Sequence, residues 1–337
     1  MTIHENISLK PYNTFGIDVK TRFFVELLTE EDVFSFFSAS TEYPQPFLFL
    51  GGGSNMLFTK DFPGTVVRLC TKGITIEKED DDSVLVRAAS GENWDGFVKY
   101  CVGKGWGGLE NLSMIPGNVG TGPIQNIGAY GVEIKDVISD IEAIHLETLE
   151  KVVLSQDQCE FGYRDSIFKS RGKGKYFILS VSFRLSKNSE QKLDYGTIRE
   201  ELERMNRSRP TNTDVREAVC NIRARKLPDP GQIGNAGSFF KNPVILKQQF
   251  DSLKEQFPGI ISYLQDDGYK IAAAWLIEQC GWKGKRTGDA GVHENQSLVL
   301  VNYGNATGKE ILDLANRIIE SVDRKFGIRL EPEVNVY

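Results

Sequence analysis

Between Gly103 and Gly131 the chain places nine glycines, at 103, 105, 107, 108, 117, 120, 122, 128 and 131. A pair would serve a hairpin. This density predicts backbone that must come close to something else. Tight turns alone do not account for the residues interleaved with them: Pro116, Asn118, Pro123, Gln125 and Asn126. A second cluster, Gly51-Gly-Gly-Ser-Asn55, follows the apolar run Phe47–Leu50, and a third spans Gly234 to Gly237. Loops of this make-up can present backbone N–H groups as a nest for an anion such as a pyrophosphate. Neither of the first two fits the G-x-G-x-x-G pattern between a strand and a helix. Gly304-Asn-Ala-Thr-Gly-Lys309 is one residue short of a Walker A loop, and Glu310 stands where a hydroxyl would reach magnesium. It reads as the start of a helix.

The charge balance narrows the partners. Lys and Arg number 40 against 46 Asp and Glu, a net charge of −6 over 337 residues. Such a chain has no overall electrostatic attraction to nucleic acid or to an anionic membrane. Its length allows about two domains of ordinary size. Five cysteines are scattered without a C-x-x-C pair, and His4, His145 and His293 lie far apart, so neither a disulfide framework nor a metal site is expected. The N-terminus lacks a signal-peptide pattern, and Ile271–Ile277 is far below the ~20 residues of a membrane span. A cytoplasmic protein without membrane insertion is expected.

Periodicity gives an α+β chain. Phe23–Leu27, Phe47–Leu50 and Val66–Leu69 read as strands around a helix at Glu30–Ser38. From about Thr71, short alternating segments recur at 74–77, 84–89, 138–144, 151–154 and 176–185, with a helix over 92–102. That pattern predicts a mostly antiparallel sheet. A helix begins near Thr213, with Thr213 or Asp214 as its cap and Pro228-Asp-Pro-Gly231 as its end. Thr307-Gly-Lys-Glu310 has the form of a capping box. Ile311, Leu312, Ala315, Ile318, Ile319 and Val322 then form one apolar face, and Gly327 stops the helix. Residues 328–337 read as an extended tail.

Three groups of residues carry candidate chemistry. Ser238 follows Gly237 and precedes two phenylalanines; it reads as a hydrolase nucleophile if His293 comes near in space, or as a proton donor in a dry site. Lys226 and Lys241 are candidate anion contacts. Arg164, in Gly162-Tyr-Arg-Asp-Ser-Ile-Phe-Lys169, suits a two-pronged contact to a carboxylate, or a surface pair with Asp165. Glu331 and Glu333 flank Pro332, and their spacing alone does not choose between them.

Together these motifs resemble the UDP-N-acetylenolpyruvoylglucosamine reductase family. They run in order along nearly the whole chain: Asn13-Thr-Phe-Gly16, Leu50–Asn55, Ile115–Gly131, Gly162–Lys169, Asp194-Tyr-Gly196, Lys226–Pro230, Gly234–Pro243 and Leu330–Val334. Tyr163–Lys169 and Asp194-Tyr-Gly196 are similar to the class that closes a tyrosine-bearing loop over its substrate. Two positions depart from the pattern. Asn335 stands where the family tail carries arginine, and Gly122 where many relatives carry Ala or Ser.

The resemblance implies a three-domain α+β flavoprotein. Residues 1–70 with 329–337, and residues 71–212, would form a two-domain FAD-binding fold of the vanillyl-alcohol-oxidase type. Residues 213–328 would form a C-terminal α+β substrate domain. It implies FAD held without a covalent link by Gly51, Gly52, Gly53, Ser54, Asn55, Pro116, Gly117, Asn118, Val119, Gly120, Gln125, Asn126, Gly128, Ala129, Tyr130 and Arg223. Arg164, Ser238 and Glu333 match the catalytic set, and Tyr195, Lys226, Asn242 and Gln296 match substrate contacts. The implied reaction is the NADPH-dependent reduction of UDP-N-acetylglucosamine enolpyruvate to UDP-N-acetylmuramate in peptidoglycan synthesis, with no metal and by a monomer. Another oxidase on the same flavin fold would lack the motifs after residue 213. A nucleotide-sugar binder without catalysis would need neither Ser238 nor Glu333.

Overall fold

Phe47–Leu50 and Phe62–Leu69 run parallel, with Phe47 opposite Thr65 and Leu50 opposite Arg68. Thr2–Ser8 and Lys20–Leu27 complete a four-stranded sheet in which Phe62–Leu69 lies between Lys20–Leu27 and Phe47–Leu50. Helix α1 (Glu30–Ser38) connects Lys20–Leu27 to Phe47–Leu50, two strands that flank Phe62–Leu69. Its start is fixed by a capping box: the Thr29 side chain accepts from Asp32 N–H, and the Asp32 carboxylate accepts from Thr29 N–H. Val33, Phe36 and Phe37 form its buried face and pack with Val25, Leu27, Val67 and Phe177. The computed structural model describes residues 1–195, 197–265 and 268–337; Gly196 of the tyrosine motif lies outside them.

The described chain divides into two units. The first comprises residues 1–7, 22–52 and 63–225, and the second residues 8–21, 53–62 and 226–337.

In the first unit, Ile74–Glu79, Ser83–Ala89, Ile138–His145, Lys151–Ser155 and Tyr176–Ser186 form the expected antiparallel sheet, with Tyr176–Ser186 central. Ser83–Ala89 alternates strictly, burying Val84, Val86 and Ala88. Helix α2 (Trp94–Gly103) lays Trp94 and Phe97 against Phe183, with ring centroids 6.0 and 4.8 Å apart. Each such fully buried aromatic contributes about 1.5–3 kcal/mol by leaving water. The acidic stretch at residues 80–82 is a hairpin tip, where Asp80 accepts the Asp82 and Ser83 N–H groups. Helices α3 (Thr197–Arg204) and α4 (Asn212–Lys226) pack through Ile198, Leu202, Val215, Ala218, Val219 and Ile222. The cap of α4 is Thr211, two residues before the expected Thr213. Its hydroxyl accepts from Asp214 N–H at 3.2 Å, and the Asp214 carboxylate accepts from Thr211 N–H at 2.8 Å.

In the second unit, Gly234–Ser238, Val299–Asn302, Ala290–Val292 and Arg286–Thr287 form one antiparallel sheet. Val244–Ile245, Gly268–Ile271 and Ser262–Gln265 form another, with Gly268–Ile271 central. Helix α5 (Lys247–Gln256), helix α6 (Ala273–Gln279) and helix α7 (Gly308–Phe326) accompany them. The capping box at Thr307 and Glu310 is present, and Gly327 ends α7 in the left-handed conformation at φ 62°. Leu314, rather than Leu312, joins the buried stripe, because it lies close to the line of Ile311, Ala315 and Ile318. Gly308 is the first residue of this helix, so the near-Walker stretch is a helix start.

Thr307→Ala should lower stability by about 1 kcal/mol, the usual cost of a lost N-cap. Gly308→Ala should cost more, since an added Cβ would lie 1.7 Å from the Phe58 carbonyl oxygen. Urea denaturation of the full chain would order the two variants; equal midpoints would refute the argument.

Candidate active site

Strand Phe47–Leu50 delivers the chain into Gly51–Gly53, and the close approaches expected of those glycines are to the protein itself. A Cβ on Gly51 would lie 2.4 Å from Thr121 Cγ2, and one on Gly52 would lie 2.8 Å from the Cα of Gly117. Gly117 adopts φ 128°, open to glycine. At Gly120 a Cβ would meet Ser90 Oγ at 1.4 Å. In the second unit, Gly53 has φ 64° and its Cβ would strike the Tyr12 carbonyl at 2.0 Å. By contrast, a Cβ on Gly103 or Gly105 would meet nothing within 4 Å. Val119 is fully buried in the core. Among the described residues, no protein acceptor takes the N–H groups of Gly51 and Gly52. That leaves both donors available for an anion, as a phosphate nest requires.

The first turn of α2 grips the other glycine-rich segment. Trp94 N–H donates to Gly117 C=O at 3.0 Å, and its indole Nε1 donates to Leu112 C=O at 2.9 Å. Between them, Met114 N–H donates to Asp95 Oδ1 at 2.6 Å. Burial alone would raise the Asp95 carboxyl. The Arg216 guanidinium and the Met114 N–H outweigh it and hold the group below the usual carboxylate range. Further along, Gly128–Ala129 pairs with Val132–Glu133 around the two-residue turn Tyr130-Gly131. Both turn residues have positive φ, 51° and 78°, as a type I′ hairpin demands. Asn126 is fully buried: its amide donates to Glu133 Oε2 at 3.0 Å and Gly162 C=O at 2.9 Å and accepts from Lys135 N–H. Its side chain thus ties this loop to the turn that bears Arg164.

Arg164 sits at that turn with φ 55°. Its Nη2 donates to Gly128 C=O at 2.9 Å, and Lys169 Nζ donates to the Arg164 carbonyl at 3.0 Å. The Asp165 carboxylate accepts from Ser166 N–H. Tyr195 is exposed and meets Tyr130 edge-on, with centroids 5.9 Å apart. Arg223, on α4, donates from Nη2 to Met114 C=O at 3.3 Å, while its Nε is buried with no hydrogen-bond partner. Burial pulls its guanidinium below its usual value, against the pull of Tyr130 and Asp95. A buried donor without an acceptor costs stability until a ligand supplies one. This orphaned N–H and the two available glycine donors fit an anionic, carbonyl-rich group such as FAD.

In the second unit, Ser238 follows Gly237, which has φ 69° and donates its N–H to Asn235 Oδ1 at 3.0 Å. The sheet register slips between Asn235 and Ser238, a bulge of the kind that re-aims a side chain. The tail lies beside the next residues. Phe240 bridges Pro332, and Glu333 N–H donates to Phe239 C=O at 2.8 Å. Glu331 is exposed and pairs with Lys241 at 3.3 Å, whereas Glu333 is half-buried. The two glutamates, alike in spacing, thus differ in exposure and in partners. Among the described residues no hydrogen bond joins His293 to Ser238: His293 is buried, and its Nδ1 accepts from Asn295 N–H. Asn242 Oδ1 accepts from Ala273 N–H at the start of α6, Gln296 Oε1 accepts from Leu298 N–H, and Lys226 ends α4. Sequence reasoning missed Asp95 and Arg216. The available signal was the seven-residue spacing of Arg216 and Arg223 on one helix.

Gly52→Ala should weaken FAD retention by about tenfold or more, because the Gly117 segment must move away. Gly103→Ala, at the end of α2, should leave retention unchanged. Flavin absorbance per protein after gel filtration checks this; equal retention in both variants would contradict it.

Residues 229–337 match the family described as UDP-N-acetylenolpyruvoylglucosamine reductase, C-terminal domain, and residues 21–147 match an FAD binding domain. A UDP-N-acetylenolpyruvoylglucosamine reductase of Pseudomonas syringae pv. syringae is 50% identical over 338 residues, covering 100% of this chain and 99% of its own. One from Flavobacterium johnsoniae is 49% identical, with 100% of both chains covered. The crystal structure of UDP-N-acetylenolpyruvylglucosamine reductase from Thermus caldophilus aligns over 100% of both chains, with a TM-score of 0.68 at 25% identity. The chain therefore belongs to the UDP-N-acetylenolpyruvoylglucosamine reductase family, flavin-dependent oxidoreductases that use FAD as cofactor and NADPH as co-substrate.

Proposed function

We propose that this chain reduces the enolpyruvyl double bond of UDP-N-acetylglucosamine enolpyruvate to give UDP-N-acetylmuramate, with NADPH as electron source, for peptidoglycan synthesis in the cytoplasm. One observation carries the reading: the tail pairs beside Phe239 and Phe240, so a half-buried carboxylate, Glu333, borders the segment that bears the Ser238 hydroxyl. The proposal keeps the three-domain division at 1–70 with 329–337, 71–212 and 213–328.

FAD, when bound, accepts hydride from NADPH and supplies it to the terminal vinyl carbon. Negative charge then develops on the adjacent carbon and spreads into the substrate carboxylate. Arg164 stabilises that charge as a cation held by its own backbone turn, and Glu333 acts with it as an acid. Ser238 delivers the proton that completes the reduction. A serine hydroxyl is a weak acid, so Lys226 or a water relay assists it. Tyr195, Asn242 and Gln296 hold the nucleotide sugar. Gly51–Asn55, the segments from Pro116 to Gly120 and from Gln125 to Tyr130, and Arg223 hold FAD. Within the last segment, Asn126 fixes the loop through its buried amide.

A positioned proton donor is worth roughly 10²–10⁴-fold. Ser238→Ala should therefore keep NADPH-driven flavin bleaching near the parent rate and lose reoxidation by the enolpyruvyl substrate by about that factor. Anaerobic stopped-flow absorbance separates the two half-reactions. Equal loss in both would remove Ser238 from the role.

A further inference from the structure

We propose that Asp95 and Arg216 are a positioning pair for the cofactor, holding the Met114–Gly117 segment and the Arg223 guanidinium in the arrangement that receives FAD. The inference rests on the reading of Arg223 as a cofactor contact.

The pair is two-pronged. Arg216 Nη1 reaches Asp95 Oδ1 at 2.6 Å, and Nη2 reaches Oδ2 at 2.8 Å. The Arg216 side chain is 14% exposed and that of Asp95 32%, so the contact is partly screened from water and salt. What sets it apart from an ordinary ion pair is the third bond on the same carboxylate. Asp95 Oδ1 also accepts the Met114 N–H. Met114 has φ 57°, a left-handed conformation that a methionine adopts only when its surroundings impose it. Its carbonyl in turn accepts from Arg223 Nη2. The bonds run Arg216 to Asp95, Asp95 to Met114 and Met114 to Arg223, beginning and ending on α4. Arg216 and Arg223 are seven residues apart, about two turns, and so share one face of that helix.

The consequence falls on Arg223 Nε, the buried donor without a partner. Its position depends on the Met114 carbonyl, and that carbonyl depends on the carboxylate beneath it. Trp94 secures the segment at Leu112 and Gly117 without any charge from α4. Loss of Arg216 should therefore leave the segment attached at both ends and release its middle.

The test is a double-mutant cycle on the full-length protein, stripped of flavin and titrated with FAD while flavin fluorescence is followed. Arg216→Met should raise the FAD dissociation constant about tenfold, the scale of one charge-assisted contact. Arg223→Met should raise it comparably. In the Arg223→Met background, Arg216→Met should add less than about twofold, because its effect passes through Arg223. Additive losses, or an unchanged dissociation constant in Arg216→Met, would overturn the positioning role while leaving Arg223 as a contact. An unchanged constant in Arg223→Met would overturn the reading of Arg223 itself, and the pair's role with it. If Arg216→Met does not fold, Arg216→Lys keeps the charge with one prong. It should give a smaller loss with the same coupling, and an additive loss there overturns the proposal equally.

Discussion

The first unit depends on an approach of two backbone segments that admits no side chain. Gly52 faces the Cα of Gly117 at a distance that a methyl group would abolish, and Gly51 and Gly120 are pressed as closely against Thr121 and Ser90. Glycine-rich segments lose more conformational entropy on ordering than any others. Two such loops do not hold each other by contact alone. The structure supplies the restraint from outside them. The parallel strand pair fixes where Gly51 begins, the first turn of α2 takes the Leu112, Met114 and Gly117 peptide groups, and the Asn126 amide and Ser166 hydroxyl tie the far end to the Arg164 turn. The sheet and its aromatic core thus fix the loops in a form that leaves some N–H groups for a ligand.

The second unit solves a related problem with its tail. Residues 53–62 belong to this unit, and Met56–Leu57 pairs in parallel with Asn335–Val336. Both peptide groups of Glu333 are engaged: its N–H donates to Phe239, and its C=O accepts from Asn55 Nδ2 at 3.3 Å. Engaging both peptide groups fixes where the Glu333 side chain leaves the backbone, the first requirement for holding its carboxylate in place. Asn335 uses its short amide locally. Both its Nδ2 and its backbone N–H donate to the Asn55 carbonyl, at 3.1 and 3.2 Å. The side chain thus adds a second bond between the tail and the end of the glycine loop.

Local signals were legible in the sequence and non-local ones were not. Helix α1 and strand Phe47–Leu50 fall where periodicity put them, and the box at Thr307 and Glu310 closes as written, because each is decided within a few residues. The glycine clusters signal close approach at some positions and not at others, since Gly103, Gly105 and Gly237 border open space, and no sequence shows which segment faces a given Cα. At 51, 52 and 120 the partner is protein. Arg164 had Asp165 as its nearest opposite charge, yet it donates to the Gly128 carbonyl far away in the chain. Helix α5 was missed because it is short and polar, with only Phe250 and Leu253 buried. The cap of α4 was placed too late because Thr211, Thr213 and Asp214 are all good caps, and only the hydrogen bonds show which one is used.

Helix α4 explains how the first unit joins two proposed sites without a loop between them. Arg216 and Arg223 lie on one face, toward Asp95 and Met114. Arg225, two residues beyond Arg223, points about 200° round the axis. There it meets the carboxylate of Glu201 on α3, one oxygen at 3.0 Å, with the Glu201 side chain only 5% exposed. This half-exposed pair, with Arg204 as a second partner of Glu201, ties α3 to α4 beside their apolar contact through Ile198, Leu202, Val215, Ala218, Val219 and Ile222. Helix α3 begins two residues after Tyr195, and the apolar contact between the helices includes Tyr130 and Leu193 at its edge. The segment assigned to the substrate and the arginine assigned to the cofactor are therefore referenced to the same rigid element. Any change that tilts α4 must disturb both, whereas a change confined to the exposed Tyr195 side chain need disturb neither the helix nor Arg223.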